Sequence, residues 1–319
     1  MKLLEYQAKE VLASLGIEIP AGRVAHTPEE AESACRELGP VAVKAQVPVG
    51  GRGKAGGIAV VETPEAAHAA AQRIIGMDIK GFKVPLVYCE TALEIAREVY
   101  LGFTVDRDAR ANILMLSARG GMDIEQVAEE APEAIARLYP NPWRGPLDFE
   151  LTQLVFESGL GEHARALTAV IKKLYRAIPD FDALTAEINP LVITEEGKVI
   201  AGDAKLETDE NADFRHRDLV EQYGAILETD ELEAEAKRRR LTYVSLDGEI
   251  GIIGNGAGLC MGTLDLVQRA GGAASTRACP SSIPWPKPST RPAPTPPVSS
   301  CLRPSPPTPS WRRPPAGSR

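Results

Sequence analysis

The apolar residues at the start of the chain recur with a helical period. Leu4, Ala8, Val11, Leu12 and Leu15 share one face of a helix over residues 3–15, and Gly16 stops it. A second helix opens at Pro28-Glu29-Glu30-Ala31 and runs to about Leu38. The pattern then changes: VAVKAQV (41–47) reads as a strand, GGRGKAGG (50–57) as a loop and IAVVE (58–62) as another strand. Thr63-Pro64-Glu65-Ala66 opens a helix to Ile75, with a cap residue, proline at the first helical position and an acid behind it. Strands follow at VPLVYCE (84–90) and REVYLGFTV (97–105), the second turning through DRDARAN onto ILMLSA (113–118). Helices are expected over roughly 124–139 and 148–177. LTAEINPLVIT (184–194) and VIAGDAKL (199–206) then read as a hairpin, its apolar runs interrupted by Glu187, Asn189, Asp203 and Lys205. An acidic-then-basic helix at about 228–240 leads to LTYVSL, a DG turn and EIGIIGNGAG, which enters the helix LCMGTLDLVQRA. Strand, glycine turn and helix open a parallel βαβ unit. The proline-rich segment beyond is expected to supply no second strand.

Composition adds a discontinuity. The 319 residues suffice for two domains and include no apolar run of the roughly 18 residues a membrane span needs. Residues 274–319 contain no Asp or Glu, seven Lys or Arg and 14 of the 26 prolines. The first 273 residues therefore carry 29 basic and 44 acidic side chains, an acidic body that argues against nucleic-acid binding. Five cysteines (Cys35, Cys89, Cys260, Cys279, Cys301) with no CxxC pair fit neither a disulfide scaffold nor a structural zinc site. The amino terminus lacks the basic-then-apolar pattern of a signal peptide, so a cytoplasmic location is expected.

Candidate chemistry gathers in four places. Gly51-Arg52-Gly53-Lys54-Ala55-Gly56 matches GxGxxG, but a strand follows it rather than a helix, which excludes the dinucleotide fingerprint. Lys54 is followed by Ala, which excludes the P-loop. A glycine loop between strands remains, able to close its amides over phosphates or to form a basic hairpin tip. Lys44 lies inside an apolar strand, where it needs a phosphate, another partner or an edge from which to reach solvent. Glu90 ends an apolar strand, while Glu94 and Glu98 read as a solvated face. Glu187, Asn189 and Asp203 on the two arms of the hairpin offer the oxygen ligands that suit Mg²⁺. Gly254-Asn255-Gly256 before a helix suits an anion or a tight turn. The four histidines carry no pattern of a nucleophile or its base.

Taken together, MKLLEYQAKEVLASLG, VKAQVPVGGRGKAGG, AREVYLGFTVDRDAR, GGMDIEQVAEE, AEINPLVIT and GIIGNGAGLCMGTLDLV resemble the β subunits of succinate–CoA ligases, collinearly over residues 1 to about 272. The resemblance implies an α/β chain: an α+β ATP-grasp domain over 1–240, then the start of a flavodoxin-like CoA-ligase domain over 241–272. It implies ATP or GTP as substrate, Mg²⁺, and an α-subunit partner that binds CoA and carries a phosphorylated histidine. Lys44, Gly51, Arg52 and Gly53 would contact the nucleotide phosphates; Glu90, the backbone at Leu93, and Glu98 would line the rest of that site. Asn189 and Asp203 would hold Mg²⁺, Glu187 would orient the partner's phosphohistidine, and Asn255 would contribute to the succinate site. A malate–CoA ligase β subunit shares this architecture and is the nearest rival, followed by an inactive nucleotide-binding remnant. Beyond about Gly272 the resemblance ends, and residues 273–319 are expected to be a disordered product of a shifted reading frame, leaving the second domain truncated.

Overall fold

The computed structural model describes residues 1–223 and 241–280 except 247, together with residues 235, 236 and 239. The chain divides into two compact units, Met1–Glu231 and Leu232–Arg319.

The first unit opens with helix α1 (Glu5–Ser14), followed by β1 (Gly22–Ala25), α2 (Pro28–Leu38), β2 (Val41–Ala45), β3 (Ile58–Val61) and α3 (Pro64–Ile74). A small ribbon, β4 (Asp78–Ile79) and β5 (Phe82–Lys83), precedes β6 (Val87–Thr91). Four of these strands form an antiparallel sheet in the order β1-β6-β2-β3. Alternation along β2 sorts its side chains. Val41, Val43 and Ala45 join Cys89 and Val87 of β6 in a core closed by Ala31, Ala34 and Cys35 of α2 and Ala67, Ala71 and Ile74 of α3. Ala42 and Lys44 therefore take the opposite face, together with Glu90, which pairs with Ala42 in the register. Both covering helices start as the sequence indicates, with Thr27 and Thr63 accepting from the third residue beyond them at 3.3 and 3.2 Å and proline at the first turn. Thr27→Ala is expected to cost about 1 kcal/mol in urea unfolding, because the Glu30 amide loses its acceptor; an unchanged midpoint would show the cap to be idle.

The second sheet begins with β7 (Arg97–Asp106) and β8 (Ala111–Ser117), paired as a hairpin. Helix α4 (Ile124–Glu130) follows and is short: Pro132 forces a break, and β9 (Ala136–Leu138) adds to the edge beside β8, where the sequence pattern predicted a continuous helix to 139. The expected helix over 148–177 is likewise divided, into α5 (Asp148–Glu157), α6 (Ala164–Tyr175) and the short α7 (Ala177–Phe181), with Gly159 at positive φ in the first break. Strand β10 (Ala183–Ile193) then runs the length of β7. On its other side lie two short strands rather than one: β11 (Val199–Ala201) against its C-terminal half and β12 (Lys205–Thr208) against its N-terminal half. Helix α8 (Arg217–Tyr223) follows. The core beneath this sheet takes Leu101, Phe103, Leu114 and Leu116 from its strands, Leu151, Leu154, Leu167 and Ile171 from α5 and α6, and Ala8, Val11, Leu12 and Leu15 from α1. The apolar stripe of α1 thus belongs to the second sheet, while Glu5 and Lys9 on the same helix pair with residues of the first.

The second unit contains β13 (Leu241–Ser245), β14 (Ile250–Ile253), helix α9 (Ala257–Arg269) and β15 (Ala274–Pro280). Here the structure corrects the sequence reading: β15 is the strand expected to be missing. It pairs parallel with β14 and antiparallel with β13, so β14, α9 and β15 complete a βαβ unit. The proline run begins only at its last residue, and ASTRAC before it is free of proline. Residues 281–319, and most of the helix expected over 228–240, lie outside the described residues. Among the described residues no helix is long and apolar enough to cross a membrane.

Candidate functional site

The site is built at a kink. β11 and β12 are separated by Gly202–Ala204, and opposite them the register of β10 against β7 shifts between Ile188 and Leu191. Pro190 has no amide hydrogen to give a ladder. Its carbonyl instead accepts from the amides of Gly202 (3.0 Å) and Asp203 (3.4 Å). A Cβ on Gly202 would lie 2.9 Å from that oxygen, so the position needs glycine. The kink turns the Gly202 carbonyl toward the first sheet, where it accepts from Lys44 Nζ at 2.6 Å and from Lys9 Nζ at 2.9 Å. It also presents the Asp203 carboxylate to Arg52, whose Nη2 donates to both oxygens at 2.7 Å.

Six charged side chains meet there. Lys44, from the polar face of β2, pairs with Glu5 (2.9 Å) and Glu90 (2.6 Å). Lys9 pairs with Glu90 and, one helical turn back, with Glu5 at 3.1 Å. Arg52 Nη1 pairs with Glu5 at 2.5 Å. Three carboxylates balance three cations, and only Asp203, with 27% of its side chain exposed, reaches appreciably into solvent. Burial alone would raise the pKa of Glu5, but Arg52, Lys44 and Lys9 hold it well below the usual carboxylate range. Burial works against the charge on Lys44, yet Glu5, Glu90 and Asp203 raise its pKa above that of an ordinary lysine, so the ammonium form is secured.

The structure therefore brings together Lys44, Arg52, Glu90 and Asp203 from the residues singled out in the sequence. Lys44 is not an edge lysine: β2 lies between β6 and β3, and the residue is 8% exposed. Arg52 is equally buried, so the glycine loop is not a free basic tip. Gly51 and Gly53 frame that loop, which closes on itself through the Ala55 amide to Gly51 O and the Gly56 amide to Gly53 O. Glu90 faces inward onto two lysines. Glu5 and Lys9 were missed; their one signal was an acid and a base four apart on α1, a spacing that by itself indicates a solvated pair.

Around the cluster the remaining candidates take separate positions. Leu93 is half-buried in the extended connector 92–96 between β6 and β7, which links the two sheets. Glu98 sits on β7, and its main-chain oxygen accepts from the Gly120 amide at 3.1 Å. The 119–123 loop held there fixes Asn189, whose Oδ1 accepts from the Gly121 amide (2.8 Å) and whose Nδ2 donates to Met122 O (2.8 Å). Its Asp123 pairs with Lys54 at the tip of the glycine loop. Glu187, two residues before Asn189, lies 3.7 Å from Lys205, and burial raises its carboxyl pKa. Asn255 belongs to the second unit, in the turn before α9. None of the four histidines is among the cluster's hydrogen-bond or ion-pair partners.

Gly120 has no room for a side chain: a Cβ would come within 2.4 Å of the Val99 amide nitrogen and 2.6 Å of the Glu98 carbonyl carbon. Gly120→Ala is expected to cost about 1–3 kcal/mol and to push the loop off Asn189. Faster hydrogen exchange at the Gly121 amide would report it; unaltered exchange would show that the loop absorbs the methyl group.

Among the described residues no group of three or more His, Cys, Asp or Glu is placed to hold a metal ion. Asp203 and Asn189 supply a carboxylate and an amide oxygen, donor types that suit Mg²⁺ with waters and substrate phosphates completing its shell, and here they are taken by Arg52 and by the Gly121 amide. Two buried cations beside a glycine loop, with one carboxylate at the rim, suit a polyphosphate and its metal.

The family model for the ATP-grasp domain matches residues 2–193. The chain is 51% identical over 273 residues to the succinate–CoA ligase [GDP-forming] subunit beta of Thermus thermophilus, covering 85% of this chain and 72% of that protein. It is 48% identical over 274 residues to the [ADP-forming] subunit beta of Rubrobacter xylanophilus, covering 85% and 71%. Among solved structures, the ATP citrate lyase of Methanothrix soehngenii, in complex with citrate and coenzyme A, shares the fold, with a TM-score of 0.65 and 16% identity over 87% of this chain and 72% of that one. The chain belongs to the β-subunit family of the succinate–CoA ligases, ATP-grasp enzymes that form a carbon–sulfur bond.

Proposed function

We propose that this chain is the β subunit of a cytoplasmic succinate–CoA ligase and that its first unit binds ATP or GTP at the Lys44–Arg52–Asp203 cluster. The convergence of two buried cations and the rim carboxylate of Asp203 beside the Gly51–Gly53 loop, with both cations and the loop inside the ATP-grasp match over residues 2–193, carries this reading. Lys44 and Arg52 contact the nucleotide phosphates, with the loop amides beside them. Glu90 acts from behind as the counter-ion of Lys44, and the connector at Leu93 with Glu98 lines the remainder of the pocket. Asp203 and Asn189 would hold Mg²⁺, which when bound supplies charge neutralisation across the phosphate oxygens. For Asp203 to serve, Arg52 must release it, and the incoming phosphates offer Arg52 a replacement partner.

The reaction proceeds in three transfers. The terminal phosphoryl group passes from the nucleotide to a histidine of the α subunit, with Glu187 orienting that imidazole. A succinate carboxylate, bound partly through Asn255, takes the phosphoryl group and frees the histidine. The CoA thiol then attacks the acyl phosphate, forming the thioester and expelling phosphate. The sequence is reversible, and its metabolic place is the tricarboxylic acid cycle. This chain's own residues bind, orient and neutralise; none becomes covalently modified.

Mixing the chain with a succinate–CoA ligase α subunit and nucleotide labelled at the γ-phosphate tests this. Acid-labile label on the α subunit, discharged by succinate and CoA, is the expected result. Nucleotide binding without transfer to any α subunit would overturn it in favour of a nucleotide-binding protein without ligase activity.

A further inference from the structure

Glu5 is the one carboxylate in the cluster that meets all three cations, and its side chain is 1% exposed. One oxygen faces Lys44 and Lys9; the other accepts from Arg52 and, at 3.5 Å, from Gln46. No face of this carboxylate is left for a ligand, so any effect on bound phosphate must pass through its neighbours.

We propose that Glu5 is a positioning residue of the nucleotide site: it holds Lys44 and Arg52, two cations from different segments, side by side and aimed at the phosphates. This deepens the nucleotide-site reading and rests on it. Two like charges drawn together in a buried place repel unless a counter-charge lies between them. Bound phosphate could supply that charge, but only after binding. Glu5 supplies it beforehand, so the cations need not be gathered when the nucleotide arrives. Lys9, wholly buried, shares its charge between Glu5 and Glu90 and keeps the cluster neutral. Helix α1 is suited to the task because the apolar stripe adjoining Glu5 and Lys9 is anchored under the second sheet by Ala8, Val11, Leu12 and Leu15.

The sign of one measurement separates this role from its opposite. A negative charge beside a phosphate site repels the ligand, so if Glu5 acted only through its field, removing the charge would tighten binding. A positioning role requires weakening. Mg-ATP and Mg-GTP are titrated calorimetrically into the parent chain, the Glu5→Gln variant and the double variant Glu5→Gln/Lys9→Met, with thermal melting of each followed in parallel. The double variant loses one charge of each sign and guards against a single variant that folds poorly. Glu5→Gln is expected to lose about tenfold or more in affinity for whichever nucleotide the parent binds. The double variant is expected to regain melting temperature without regaining affinity. Unchanged or tighter binding by Glu5→Gln, or full affinity in the double variant, overturns the proposal and leaves the nucleotide site standing. If the parent binds neither nucleotide, the nucleotide-site reading falls and this inference falls with it.

Discussion

Replacing Lys9 by methionine is expected to lower stability by about 3–5 kcal/mol, the cost of removing one partner from a buried ion pair. The side chain is completely buried, and its ammonium group serves Glu90, Glu5 and the Gly202 carbonyl. Methionine fills much the same volume, so the loss is electrostatic rather than a cavity. It leaves two buried carboxylates sharing Lys44 and Arg52, and a carbonyl oxygen with one donor fewer. For a unit of this size the melting temperature should fall by about 10 °C. An unfolding curve within about 1 kcal/mol of the parent would mean that water reaches the cluster and that its charges are not desolvated as described.

Lys44→Met is expected to reduce nucleotide affinity by about tenfold to a hundredfold, the worth of a hydrogen bond to a charged group, ~1.5–3 kcal/mol. The ammonium sits where β2 gives way to the glycine loop, and three carboxylates, Glu5, Glu90 and Asp203, keep it protonated. Loss of the amine would remove the proposed phosphate contact and one of the two cations proposed to oppose the nucleotide charge. Titration calorimetry on the folded variant reads the change directly. Unaltered affinity would show that Lys44 is a structural counter-ion alone, with Arg52 and the loop amides carrying the phosphates.

Much of this was legible from residue patterns, for identifiable reasons. The stripe Leu4–Leu15, the proline-initiated helices at Pro28 and Pro64, and the strand–glycine loop–strand at 41–62 are local features whose period or cap determines their form. The errors fell where tertiary pairing decides. VIAGDAKL reads as one strand, yet Gly202–Ala204 breaks it because the Pro190 carbonyl takes two amides at once. The helix expected through residue 139 stops short at Pro132 because the edge beside β8 recruits 136–138 into the sheet. Strand β15 was missed because the prolines that follow it dominated the composition of the whole segment. At the site, Lys44 stood out because an apolar strand makes a lysine conspicuous. Glu5 and Lys9 did not, since on a helix an i,i+4 pair is ordinarily solvated, and only the packing of α1 between two sheets buries them. Glu90 stood out at the end of its strand, but its place on the same sheet face as Lys44 becomes clear only from the β2–β6 register.

The Lys44–Arg52–Asp203 cluster is proposed to receive a metal-bound nucleoside triphosphate. The direct test is a calorimetric titration of the parent chain and of Asp203→Asn with ATP and with GTP, each in the presence of Mg²⁺ and of EDTA. Saturable binding by the parent that strengthens with Mg²⁺, and a smaller Mg²⁺ effect in Asp203→Asn, is the predicted result. Binding indifferent to both Mg²⁺ and Asp203, or no binding of either nucleotide, would contradict it.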